Sequence, residues 1–190
     1  LLKGKRVAIL TNQTGMIGNV NLVDSLAALK VNIISIISPE HGFRGEADAG
    51  EHVSGSVDQK TGIPIKSLYD GTPGKPAASL MKEIDILLFD LQDVGVRFYT
   101  YLTTMARIME SCAESGVKMI ILDRPNPLGF YVDGPILDMK YKSGVGWLPV
   151  PVVHGMTLGE LAGMINGEKW LPGGIQCDIT VIKCRNYTHS

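Results

Sequence analysis

The chain has 190 residues, 45% of them hydrophobic and 19% charged, with eighteen Lys and Arg against nineteen Asp and Glu for a formal net charge of -1. That length suits one domain, or one and a fraction, with enough chain to bury a core. The near-neutral balance, with no Lys/Arg run, leaves no electrostatic footprint for nucleic acid or anionic lipid.

In chain order, Arg6–Leu10 reads as a strand and Val20–Leu29 as a helix with apolar positions at Leu22, Leu26 and Leu29. The longest mostly apolar stretch, Val31–Ser38, is far too short to span a bilayer, and Asn32–Ser38 within it reads as a buried strand. After a long polar, Gly-rich stretch, Ile65–Tyr69 predicts a short strand and Pro76–Lys82 a short helix. Ile84–Phe89 predicts a buried strand, and a helix follows from about Tyr101 to Ser115, ended by Gly116 as a left-handed cap. Lys118–Leu122 and Val150–Val153 predict further strands, Thr157–Asn166 a helix and Asp178–Ile182 a last strand. Continuous apolar strands alternating with helices predict a parallel sheet covered on both faces, an α/β doubly wound fold. The Gly/Pro-rich stretch from Pro125 to Pro151 predicts a long irregular excursion. The division that follows is a main domain over 1–155, with 156–190 as a last helix and strand opening onto a further domain.

Three cysteines, Cys112, Cys177 and Cys184, lack any CxxC or Cys/His spacing for structural zinc. Reduced or buried thiols are the preferred reading, with one Cys177–Cys184 bridge as the alternative. The chain opens without an initiator Met or a signal-peptide pattern, so its N-terminus reads as trimmed.

Each strand runs into polar residues at its carboxyl end, where open α/β sheets bind their ligands. The clusters are Thr11-Asn12-Gln13-Thr14-Gly15, Pro39-Glu40-His41-Gly42-Phe43-Arg44, Asp90 to Tyr99, Asp123 to Pro127, and His154 to Thr157. No GxGxxG follows the first strand, and neither a P-loop nor a GxSxG elbow occurs. What remains suits a sugar: amides, Asp and Arg for hydroxyls, and Phe43 or Tyr99 for a ring face. Asp90 and Asp93 sit at the mouth of a buried strand, where burial favours the neutral acid form that a general acid needs.

The strings TNQTG, SPEHGFRG, TGIPIKSLYDG, FDLQDVGVRFYTY, LDRPNP and PVVHGMTLGELA, in this order over nearly the whole chain, resemble one family. It is the exo-acting β-N-acetylmuramidase (NamZ-type) family of bacterial glycoside hydrolases, long catalogued as a domain of unknown function. The resemblance implies a Rossmann-like N-terminal domain and hydrolysis of terminal β-linked N-acetylmuramic acid from peptidoglycan fragments. It implies no cofactor, an extracytoplasmic site of action, a sugar or muropeptide as substrate, and a C-terminal domain that helps to form the cleft. The chain stops soon after HGMTLGELA, so it reads as the N-terminal half of a longer protein.

The glutamate of the family's PEHG motif corresponds to Glu40, the leading catalytic candidate, with Asp93 or Asp90 as the second group. The other motif positions that match are Asn12, His41, Arg44, Gln92, Arg97, Tyr99, Asp123, Arg124, Asn126 and His154, candidates for substrate contact, together with Glu160. For Asp90 and Asp93 the competing reading is a turn-forming cap on the next helix. Arg97 and Arg124 are joint candidates to grip the lactyl carboxylate of muramic acid, a bidentate task suited to Arg. Thr157-Leu158-Gly159-Glu160 has capping-box spacing, which makes Glu160 a reserve carboxylate only. His41 and His154 read as hydrogen-bonding groups rather than metal ligands. Of Tyr99 and Tyr101, one lines the crevice and one packs; Trp147 and Trp170 are packing anchors. The rival functions are a non-catalytic sugar-binding module, a metal-dependent hydrolase using His41, Asp90 and His154, and a nucleotide binder.

Overall fold

Two strands flanked by other strands and covered on both faces need apolar side chains in unbroken runs, and two segments of this chain are built that way. All five residues of β1 (Val7–Thr11) are buried, as are all five of β6 (Ile86–Asp90). The computed structural model describes residues 1–39, 43–44, 56–68 and 75–189. After β1 come a two-residue hairpin, β2 (Met16–Ile17) and β3 (Val20–Asn21), then α1 (Leu22–Ala28), β4 (Ile33–Ser38), β5 (Ile65–Ser67) and α2 (Ala78–Glu83). Beyond β6 lie α3 (Thr100–Ser115), β7 (Lys118–Leu122), α4 (Leu158–Gly167) and β8 (Ile179–Ile182).

Six strands pair in the order β5-β4-β1-β6-β7-β8, and every pairing is parallel. Counted along the chain this is third, second, first, fourth, fifth, sixth, the order of doubly wound sheets. The predicted α/β class and parallel sheet are therefore what the chain forms. Alternation along each strand divides the core into two layers. Val7, Ile9, Ile36, Ile86, Leu88 and Ile120 face a layer closed by Leu22 and Val23 of α1 and by Phe43. Ala8, Leu10, Leu87, Phe89, Met119 and Ile121 face the larger layer, which α2, α3 and α4 cover. Trp147 and Trp170 pack against that layer as anchors, and Arg107 and Lys142 both lie over the Trp147 indole.

Gly116 ends α3 at φ 66°, ψ 23°, a left-handed cap that costs glycine nothing. Two local expectations are corrected. The first helix begins at Leu22 rather than Val20, because Val20 and Asn21 pair back onto Met16 and Ile17 and the Asn21 side chain then accepts the Val23 N–H at 2.8 Å as N-cap. Val150–Val153 is no strand of the main sheet. Pro149 and Pro151 remove alternate N–H donors there, and Val153 instead bridges Val96 on one side and Asp133 on the other. The elements set apart as residues 156–190 join the same sheet: β8 pairs with β7, and α4 packs on α3. All three cysteines are free, Cys112 and Cys177 in the core.

Phe89 is fully buried at the centre of the larger layer. Phe89→Ala is expected to cost about 3–5 kcal/mol of unfolding free energy, read from denaturant melts.

Candidate functional site

In this strand order the crossovers on either side of β1 leave in opposite directions, which opens a crevice beyond the carboxyl ends of β1 and β6. Thr11 and Asp90, register partners, end these two strands. Arg124, two residues past β7, reaches back over β6: its Nε donates to Asp90 Oδ1 at 2.6 Å and its Nη2 to Oδ2 at 3.0 Å. The carboxylate is 2% exposed and the guanidinium 23%. Both Asp90 oxygens accept from Arg124, a two-bond fork that occupies the carboxylate. Gly15 closes over the pair. A Cβ there would stand 2.2 Å from Thr11 Oγ1 and 3.1 Å from Asp90 Oδ2, so only glycine lets the loop come so near.

Asn12 shapes the same loop. Its Oδ1 accepts the Thr14 N–H at 2.9 Å and the Thr14 hydroxyl at 2.6 Å, while its Nδ2 donates to Tyr101 Oη at 2.8 Å. Tyr101 is buried in the larger core layer and meets the half-buried Tyr99 edge to face, with centroids 4.8 Å apart. Tyr101 is thus the packing member of that pair.

A second cluster lies one loop further along. Asp93 Oδ2 accepts the Gly95 N–H at 2.7 Å and stands 3.6 Å from His154 Nε2. His154 Nδ1 accepts the Met156 N–H at 3.3 Å, which leaves Nε2 as the ring nitrogen turned toward Asp93. The gap is too long for a hydrogen bond. Asp93 Oδ1 and His154 Nε2 are both buried without a hydrogen-bond partner among the described residues. Around them Gln92 donates to the carbonyls of Asp93 and Pro125 at 2.7 and 2.8 Å. Asn126 donates to the Met156 carbonyl and accepts from the Leu128 N–H, both at 2.8 Å.

Several expected substrate contacts are engaged with the scaffold. Arg97 Nη1 donates to the carbonyls of Pro135 and Val150 at 2.8 and 2.7 Å, tying down the excursion. Arg44 forks onto both oxygens of Asp58 and also donates to Asp24, which holds Phe43 and Arg44 against α1. That ion pair raises the Arg44 pKa and holds the Asp58 carboxyl down at about 2, with help from Thr61. Asp123 accepts the Gly159 N–H at 2.8 Å and the Thr157 hydroxyl at 2.7 Å, seating the start of α4. The capping box of Thr157 and Glu160 is present, and Glu160 also meets His189, whose pKa it raises. A cavity of about 300 Å³ lies here, lined by Asp123, Thr157, Glu160, Lys183, Cys184 and Tyr187 among others.

Glu40 and His41 lie outside the described residues; the buried Ser38 and Pro39 lead directly into them. Among the described residues no three His, Cys, Asp or Glu side chains are placed to hold a metal ion. The structure thus brings together Asn12, Asp90 and Arg124, and beside them Gln92, Asp93, Asn126 and His154. The sequence places Gly15 and Gly95 in the strand-end clusters without assigning them a role. Its available signal was a glycine just after a strand end; a Cβ on Gly95 would stand 2.2 Å from Asn126 Oδ1.

Comparison with known proteins adds a consistent group. Residues 7–190 match the family model for the N-terminal region of the exo-beta-N-acetylmuramidase NamZ. The peptidoglycan beta-N-acetylmuramidase NamZ of Bacillus subtilis (strain 168) is 46% identical over 98% of this chain, which covers 44% of that protein. Two crystal structures of DUF1343 family proteins from Bacteroides fragilis NCTC 9343 superpose with TM-scores of 0.88 and 0.89, at 58% and 39% identity over 99% of this chain. The chain spans about half the length of these relatives, 49% and 47% of the two crystallised chains.

Arg124→Ala leaves the Asp90 charge buried and unpaired, so a loss of about 3–5 kcal/mol is expected in urea melts at neutral pH. The Asp58 carboxyl has a lower pKa folded than unfolded, so its contribution is full above the ordinary carboxylate range and is lost as pH falls toward about 2. Asp58→Asn should therefore flatten the acid limb of the stability–pH curve, by roughly 2 kcal/mol at most.

Proposed function

Because the chain belongs to the family of N-terminal NamZ exo-β-N-acetylmuramidase domains, we propose that it supplies the Rossmann-like half of a glycoside hydrolase. The enzyme releases terminal β-linked N-acetylmuramic acid from peptidoglycan fragments. One observation carries the reading: 46% identity to a protein named peptidoglycan beta-N-acetylmuramidase, sustained over 98% of this chain. The chemistry of the crevice agrees with it. A sheet-end rim of amides, carboxylates and paired arginines, on a chain of net charge -1, suits hydroxyl groups better than a polyphosphate.

In this reading Glu40 is the general acid/base that protonates the glycosidic oxygen as the bond to the anomeric carbon breaks. The second group is Asp93, supporting water attack or the charged ring. Asp90 is less suited to that part because Arg124 occupies both of its oxygens, whereas Asp93 keeps one oxygen without a partner among the described residues. Asn12, Gln92 and Tyr99 are the further candidates for the sugar-facing rim in this reading. Arg124 still offers the lactyl carboxylate its Nη1 hydrogens and the outer Nη2 hydrogen, since Asp90 holds its Nε–H and one Nη2–H. Peptidoglycan as the substrate class supports an extracytoplasmic site of action; no helix among the described residues is long and apolar enough to cross a membrane.

The test uses the full-length protein. Glu40→Gln should reduce turnover of a chromogenic β-N-acetylmuraminide by roughly 10²–10⁴ with the fold retained. Unchanged turnover removes Glu40 from the chemistry. Absence of muraminide turnover in the unmutated full-length enzyme, with binding intact, replaces the hydrolase reading with a sugar-binding one.

A further inference from the structure

A histidine that donates from both ring nitrogens carries two protons, and the segment after β8 holds one placed that way. His189 Nδ1 lies 3.0 Å from the Gly129 carbonyl oxygen, and its Nε2 lies 2.9 Å from Glu160 Oε1. A carbonyl oxygen only accepts. Glu160 accepts as well: its Oε2 takes the Thr157 N–H at 2.9 Å. Burial works against the charge of that carboxyl, yet the bonds from His189 and Thr157 hold its pKa below the ordinary value. With an acceptor on each side, only the imidazolium satisfies both bonds. The bond to Glu160 first, and that to Gly129 second, raise the His189 pKa above the ordinary histidine value.

The ring is fitted into its surroundings. It meets Tyr187 edge to face with centroids 5.3 Å apart, and Tyr187 Oη donates to the Asn126 carbonyl at 3.1 Å. A Cβ on Gly129 would collide with the Tyr187 hydroxyl and stand 3.2 Å from His189 Nδ1, so only glycine lets residues 187–189 lie against this turn. Those residues form a strap from the excursion to the first turn of α4, and Tyr187 and Glu160 wall the cavity of about 300 Å³. Asp123 at the end of β7 and Lys183 and Cys184 beyond β8 line the same cavity. Among the described residues Glu160 is the one ionisable group that bonds the His189 ring. We propose that His189 is a proton-operated latch: as imidazolium it fastens the strap to Gly129 and Glu160 and closes one wall of the cavity, and on losing a proton it surrenders one of the two bonds and frees the strap. The proton passes to solvent, since the His189 side chain is 44% exposed.

The inference stands on this geometry and not on the hydrolase reading, so its test is independent of turnover. In the full-length protein with ring-¹⁵N histidine, the His189 resonances are assigned by their loss in His189→Gln. Their titration midpoint should lie above the ordinary value of about 6.5, with both ring nitrogens protonated below it, and Glu160→Gln should bring it back toward that value. The substituted amide still accepts the Thr157 N–H, so the α4 cap is retained. Because the folded pKa is the raised one, the latch is fully closed below about pH 6.5 and is lost as pH rises through the midpoint. Amide exchange in peptides spanning 126–131 and 185–189, corrected for the intrinsic effect of pH, should accelerate across that midpoint. The gain is up to roughly tenfold for a midpoint one pH unit above the ordinary value. In His189→Gln the same peptides should exchange fast at both ends of the range. A His189 midpoint no higher than that of the Glu160→Gln variant overturns the proposal, and so does exchange in these peptides that is equal on both sides of the midpoint.

Discussion

A charge buried where the sheet changes direction constrains everything around the crevice. Asp90 ends β6 with almost no exposure, and an ionised carboxylate in that position is costly unless it is both paired and hydrogen-bonded. Arg124 meets both demands with two short bonds, but only if the chain leaving β7 turns back over β6. That return fixes the Asp123 side chain where it receives the N-terminus of α4, and fixes Pro125 where Gln92 reaches its carbonyl. It also requires the loop after β1 to pass close by, which Gly15 alone permits. One ion pair thus sets the course of three loops, and the family's motifs TNQTG, DLQDV and LDRPNP meet at it.

The second constraint is the shortage of backbone donors beyond β7. With Pro149 and Pro151 in alternate positions, the segment before α4 cannot extend the main sheet, so its remaining N–H and C=O groups must find partners elsewhere. They find them in a ribbon across the mouth of the sheet, bridged at Val96, Val153 and Asp133, and in the Arg97 side chain. Arg97 is therefore a substitute for missing ladder bonds. Its guanidinium does for the excursion what a neighbouring strand would otherwise do.

These two constraints also explain what a reading of the sequence reaches and what it does not. The strands were legible because parallel central strands are continuous apolar runs, and Lys118–Leu122 falls where its composition says. The Thr157–Glu160 capping box was legible because it is a local pattern with a fixed spacing. The pairing of Asp90 with Arg124, 34 residues apart, was not, because no local rule states which buried carboxylate an arginine will choose. The partners of Arg44, Arg97 and Arg124 were not legible for the same reason: a free cation and a cation engaged by Asp58, by carbonyls or by Asp90 are identical letters. Motif resemblance names the family, and the partners of each side chain within the region are set by geometry.

That division of labour argues for how this scaffold parted from nucleotide binding. In a dinucleotide fold the first loop after β1 turns tightly on glycines and aims the N-terminus of the first helix at a pyrophosphate. Here the β2–β3 hairpin intervenes, and the Asn21 side chain takes the first-turn Val23 N–H that an anion would seek. The loop is held instead by Asn12, whose amide oxygen accepts twice from Thr14 and whose amide nitrogen is anchored on Tyr101. At the same switch point, an anion would meet the Asp90 carboxylate behind Gly15 in place of bare backbone donors. Hydroxyl groups meet no such penalty at that point, since amides and paired charges offer them both donors and acceptors. The strand order supplies the crevice, and an ion pair with an amide-stitched loop stands in it where a dinucleotide fold has its phosphate cradle.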